Sequence, residues 1–162
     1  MDENRLVFSK EMLAKAKTTY ENDAFVSFMV IWISLNVLYD TGKASREYLK
    51  IQIFFTKNAD IISRILSTKS KEMQELVKFI ESTPQHYNLN LYLKDCNAFT
   101  DTSTSALNRS TDFGRFVSKV RNNMFHGTKI WSNEDEEGLL IRLIPTLILI
   151  VESLHSNYQN FG

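Results

Sequence analysis

The chain is nearly without the residues that make turns. Its 162 residues hold five glycines and two prolines, about a third of average usage. From Lys43 to Thr83 there is neither. Glycine supplies positive φ and proline presets turn dihedrals, so a chain this poor in both makes few turns and long elements. A β-sandwich or barrel needs a turn every dozen residues or so and is excluded. Hydrophobic residues make up 43% of the sequence, among them eleven Phe, six Tyr and two Trp. That is enough to bury a core and excludes disorder as the main state. The length suits one domain over residues 1–162.

Apolar spacing predicts helices throughout. The first spans roughly Arg5 to Tyr20. The second spans Asp23 to Tyr39, with Asp23 as N-cap and Gly42 just beyond its end. Phe25, Phe28, Met29, Trp32, Leu35, Asn36 and Tyr39 form one stripe of it, and Val26, Val30, Ile33 and Val37 cover the other side. A helix apolar nearly all round is expected to be central. A third runs from Ser45 to Leu66, with a possible interruption over Thr56 to Asp60. A fourth runs from Ser70 to Glu81, stopped by Pro84. His86 to Leu107 is ambiguous, and Thr100 to Ser105 is a Ser/Thr-rich loop expected to be mobile.

The fifth helix spans Thr111 to His126, with Ser110 or Thr111 as N-cap and Gly127 as stop. Phe113, Phe116, Val117, Val120 and Met124 are its buried stripe. The sixth starts near Asn133 with a capping box from Ser132 and Asp135 or from Asn133 and Glu136. Pro145 either kinks it or opens a separate helix, and the kink is favoured. The expectation is an all-α protein, an antiparallel bundle of five to six helices with short connections.

Lysine plus arginine and aspartate plus glutamate balance at 19 each, which excludes a globally basic nucleic-acid coat but not a local patch. The single cysteine, Cys96, forbids an internal disulfide and a cysteine-rich zinc site, and a reducing, cytoplasmic compartment is the natural reading. The first twenty residues lack a signal segment. Phe25 to Tyr39 and Leu139 to Leu154 are short for a membrane span and carry Asn36 and Arg142, so both read as core helices and no membrane partner is expected.

Most catalytic signatures are missing: there is no Gly-rich phosphate loop, no G-x-S-x-G and no H-E-x-x-H. The three histidines, His86, His126 and His155, are far apart in sequence, so no metal site and no cofactor is expected. The exception to this plainness is Arg121-Asn122-Asn123-Met124-Phe125-His126-Gly127. On a helix Asn122 and His126 share a face, continued by Arg115 and Lys119. Arg121 lies on the flank, five positions before His126 and about 140° round, so those two side chains do not converge within one regular helix. A bend or a second copy of the chain would bring them together.

These residue types suit phosphodiester chemistry. Histidine takes up and releases protons near neutrality. Arginine offers a planar, permanently charged fork to phosphate, and a fixed guanidinium stabilises charge that builds in a transition state. Between Arg109 and Lys129 stand five basic residues against one acid, Asp112, an excess able to attract RNA. Arg115, Lys119, Lys129 and Asn36 are the candidate substrate contacts. The same residues also suit structural roles: a histidine beside exposed helix carbonyls, an arginine lying over the core, an asparagine bonding a neighbouring backbone group.

The Arg121, Asn122, His126 pattern resembles the signature of the HEPN superfamily: an arginine, a polar neighbour, then a histidine four to six positions after the arginine. The Phe28 to Tyr39 segment, with Trp32, Leu35, Asn36, Leu38 and Tyr39, resembles the early helix of its bacterial Apea-like branch. The resemblance implies a compact helical fold and a homodimer whose motif helices build one composite cleft. It further implies metal-independent cleavage of RNA. There the 2′-hydroxyl attacks the adjacent phosphate, leaving a 2′,3′-cyclic phosphate and a 5′-hydroxyl. His126 would serve as acid and base, Arg121 as phosphate clamp and Asn122 as positioning residue. Members of the family often act as toxins or anti-phage effectors, beside an antitoxin or regulatory protein. Others are non-catalytic interaction or nucleotide-binding modules.

Overall fold

The computed structural model describes residues 3–38, 47–68, 70–82, 92–94, 104–126 and 133–161, without the side chains of 47–50, 125–126, 133–135 and 159–161. Among the described residues every regular element is helical. The elements are α1 (Glu3–Thr19), α2 (Ala24–Leu38), α3 (Glu47–Lys57), α4 (Ala59–Ser67), α5 (Lys71–Ser82), a 3₁₀ helix (Ser105–Asn108), α6 (Ser110–His126) and α7 (Asn133–Phe161). Residues 92–94 add a helical turn. Tyr39, Gly42, His86, Cys96, Gly127 and Lys129 lie outside the described residues.

The helix starts follow their caps. Asp23 Oδ1 accepts from the Val26 amide at 3.1 Å, and Ser70 Oγ accepts from the Met73 amide at 3.2 Å, each satisfying an amide the helix leaves unpaired. The expected third helix divides at Asn58, inside the suspected interruption. The Asn58 side chain donates to the Phe54 carbonyl at 2.9 Å and so closes α3 from its own end. This division gives α3 and α4 in place of one long helix.

Around α7 pack α1, α2, α4 and α5, while α6 packs on α3, α4 and the 3₁₀ helix. Leu139, Leu140, Leu143, Ile144, Leu147, Ile150, Val151 and Leu154 of α7 are buried, each worth about 1.5–3 kcal/mol of transfer free energy. Glu136 to Tyr158 is long and apolar enough to cross a bilayer, yet 56% of that window is buried inside the protein, as in the core helix of a folded domain. The helix is continuous through Pro145, whose missing amide leaves the Ile141 carbonyl without its usual donor.

Helices α1 and α2 run antiparallel at close range, and small residues set the distance. Ser9 pairs with Ser34 and Ala16 with Ser27, seven residues apart on each helix. Ser27 Oγ donates to the Ala16 carbonyl at 2.9 Å. Ser9 Oγ donates to the Ser34 carbonyl at 3.0 Å, and Ser34 Oγ returns the bond to the Ser9 carbonyl at 2.9 Å. A one-carbon hydroxyl reaches a neighbouring helix's carbonyl only where the two backbones nearly touch.

Two expectations need correction. Helix α2 is not enclosed all round: Val26, Met29 and Ile33 are 46%, 41% and 42% exposed, because its partners α1 and α7 occupy only part of its circumference. Nor do Ser110 and Thr111 cap α6. Ser110 is inside the helix, and its hydroxyl donates to the Phe55 carbonyl at 2.6 Å. The Thr111 hydroxyl meets that of Thr56 at 3.1 Å. Both tie α6 to α3 instead. Gly114 sits at this contact, where an added Cβ would lie 2.9 Å from Phe55 Cβ, closer than side-chain atoms pack.

Candidate functional site

Helix α6 places the predicted residues by its buried side. Phe113, Phe116, Val117 and Val120 are buried as the apolar stripe requires, and Met124 is half-buried at its edge. Arg115, Lys119 and Asn122 occupy the other face, with Lys119 exposed and the other two half-buried. The helix ends at His126, whose side chain, with Lys129, lies outside the described residues.

Arg121 is held from two sides. Its guanidinium lies over the Trp32 ring at 5.3 Å from the centroid, a cation–π contact worth about 0.5–2 kcal/mol. Its Nη1 donates to Asn122 Oδ1 at 3.2 Å. Trp32 is itself 4% exposed and stacked near Phe28, ring centroids 6.5 Å apart, so the platform is rigid. Arg121, which helical angles put on the flank of the Asn122 stripe, is thus joined to Asn122, and the joint is anchored on α2. Asn36 lies half-buried one turn beyond Trp32 on the same side of α2.

The basic window is not uniformly available. Asp112 forms an ion pair with Arg109 and stands 3.5 Å from Arg115 Nη1. One carboxylate therefore engages both cations at the start of α6, and Lys119 and Arg121 lie beyond its reach towards the motif end.

Behind Arg121, on the buried side of α6, sits a polar cluster that composition and spacing did not reveal. Tyr92, Asn123 and Glu136 are 2%, 7% and 1% exposed. The Tyr92 hydroxyl donates to Glu136 Oε1 at 3.4 Å, and its ring meets Phe116 edge-on at 6.0 Å. Burial first, and the Glu136 charge second, push the Tyr92 hydroxyl above its ordinary range, so it stays a donor. The Asn123 amide lies beside the same hydroxyl, its Nδ2 outside hydrogen-bond geometry. The sequence offered Glu136 only as a capping residue of α7. The signal that could have found the cluster is Asn123 itself, a polar residue on the Phe116–Val120 face.

The histidine whose side chain is described, His155, belongs to a separate contact between α1, α2 and α7. His155 Nε2 stands 2.9 Å from Ser9 Oγ. A hydroxyl carries a single proton, and Ser9 Oγ has the Ser34 carbonyl at 3.0 Å, Ser34 Oγ at 2.8 Å and His155 Nε2 at 2.9 Å around it. All three side chains are buried, so the Ser–His pair sits inside the packing as a polar contact between α1, α2 and α7. Burial first, and the Lys10 charge second, lower the His155 pKa to about 4. Among the described residues no group of three His, Cys, Asp or Glu side chains could hold a metal ion.

Comparison with known proteins found no matching family model, no matching curated protein and no matching solved structure. The reading of the site therefore rests on its own residues.

Proposed function

We propose that the chain is a HEPN-type endoribonuclease, active as a homodimer without a metal or cofactor, in the cytoplasm and in a toxin or anti-phage defence setting. The observation that carries this is the fixed guanidinium of Arg121, clamped between Trp32 and Asn122 in the last turns of a helix that ends at His126. A phosphate clamp must be ordered before substrate arrives, or its ordering entropy is charged to the transition state. The 2′-hydroxyl of RNA would lose its proton to one His126 and attack the adjacent phosphorus. The P–O5′ bond would break as the 5′-oxygen gains a proton, leaving a 2′,3′-cyclic phosphate. Arg121 would neutralise the added charge, with Lys119, Arg115, Lys129 and Asn36 along the RNA path. The exposed stripe of Val26, Met29 and Ile33, on the helix that also carries Trp32, supports a twofold contact with a second copy. A cognate antitoxin or regulatory protein fits such a protein; a membrane does not.

The second reading is a non-catalytic HEPN-like interaction or nucleotide-binding module. The pairing of Asp112 with both Arg109 and Arg115 favours it, since it withdraws charge from an RNA track.

Incubating purified protein with RNA in excess EDTA separates the two. The first reading expects cleavage, reduced about 100-fold or more in Arg121→Ala and His126→Ala while the helical circular-dichroism signal is retained. Intact RNA with the wild-type dimer, together with variants that behave as wild type in cells, would leave the interaction reading standing.

A further inference from the structure

The buried trio behind Arg121 has no part in the chemistry proposed above, and its composition is costly. A carboxylate at 1% exposure gives up its hydration, and an apolar side chain would fill the same space more cheaply. What a carboxylate offers is direction. Tyr92 spans from the Phe116 ring to Glu136 Oε1, and Phe116 and Asn123 are two turns apart on one face of α6. Three separate segments, the 92–94 turn, α6 and the first turn of α7, therefore meet around the Tyr92 side chain, which bonds Glu136, lies beside Asn123 and packs edge-on against Phe116. That contact opposes rotation of α6 about its axis. Asn122 and Arg121 precede Asn123 directly, so any such rotation swings Arg121, with the Asn122 bonded to it, off the Trp32 ring.

We propose that Tyr92 and Glu136 are positioning residues that fix the rotation of the motif end of α6 against its Asn123 face, and so hold Arg121 and Asn122 in the geometry the reaction needs. The proposal rests on the RNA-cleavage reading for its kinetic arm only. The test uses Tyr92→Phe, Glu136→Gln and the double variant, each nearly isosteric. Two measurements are made on each: kcat and KM for RNA, and hydrogen exchange of the amides at 121–126 against those at 113–117.

The expected result is a fall in kcat of about tenfold in each single variant with KM within about twofold. The double variant should be no worse than the poorer single one, because one contact is lost in all three. Exchange should rise at 121–126 and stay unchanged at 113–117. Unchanged kcat in an active protein, or a uniform rise in exchange along α6, overturns the proposal and assigns the trio to general stability. If the wild type cleaves no RNA, the enzymatic reading fails by itself. The exchange arm then decides alone: a rise confined to 121–126 upholds the positioning role, and any other pattern overturns it. Should Glu136→Gln not fold, Tyr92→Phe, which removes a single oxygen atom, carries both measurements.

Discussion

The two polar contacts on either side of α2 treat buried polarity in opposite ways. Where α1, α2 and α7 meet, Ser9, Ser34 and His155 form a closed set, in which each hydroxyl reaches the other's carbonyl, the two hydroxyls stand 2.8 Å apart and the imidazole lies 2.9 Å from Ser9 Oγ. At the motif end of α6 the set is open. Arg121 lies on an aromatic face with its fork directed at Asn122, while Trp32 Nε1 and Asn123 Nδ2 are buried with no hydrogen-bond partner among the described residues. Closed networks of this kind specify packing. Open ones hold a cost that a ligand or a reaction can use. The difference places His155 with the scaffold.

The comparison breaks most visibly in rate. Arg121→Ala should slow RNA cleavage by about 100- to 1000-fold, with a smaller effect on the thermal midpoint, since the arginine is half-buried and its hydrogen bond goes to its own chain neighbour. A variant that unfolds instead of losing rate would place Arg121 with the scaffold.

Acid should act on the closed contact first. His155 binds a proton less well folded, at a pKa of about 4, than unfolded, at 6.5. Its contribution is therefore intact above pH 6.5 and is lost as pH falls from there towards 4, reaching on the order of 3 kcal/mol. Urea midpoints across that range should fall more shallowly in His155→Gln, which cannot titrate. Parallel curves for the two proteins would contradict the assignment.

Ser34→Ala removes one half of the reciprocal pair and leaves the Ser9 carbonyl short of a donor. A loss of about 1–3 kcal/mol is expected, read by urea unfolding, with cleavage by the folded fraction unaffected. The smallest effect belongs to the local caps: Asp23→Ala should cost about 1 kcal/mol in the same assay and leave both contacts otherwise intact. A larger cost there would mean that the α1–α2 turn also steers the serine pairing.

Local features of this fold could be read from the residues, and distant ones could not. Asp23, Ser70 and the break near Asn58 act within four positions of themselves, so their signals are contiguous. The Phe113–Phe116–Val117–Val120 stripe repeats at the helical period and needs no partner to be recognised. Ser110 misled because a hydroxyl before an apolar run caps helices and also bonds carbonyls, and only the approach of α3 decides between them. The exposed face of α2 escaped for a related reason. Apolar periodicity records which sides can be buried, whereas the number of neighbours sets how many are. Ser9 and His155 stand 146 positions apart, and nothing near either residue announces the other. At the candidate site the motif was visible as a string, but the Trp32 platform and the Glu136 cluster arise only when α2 and α7 close on α6.

The central claim is that Arg121 and His126 serve an attack by the ribose hydroxyl. It is tested most directly by offering the purified wild-type protein, in EDTA, matched RNAs with free or methylated 2′-oxygens and identifying the product ends. The account predicts cleavage of the free RNA to 2′,3′-cyclic phosphate ends and no cleavage of the methylated one. Equal cleavage of both, or products bearing 5′-phosphates, would contradict it.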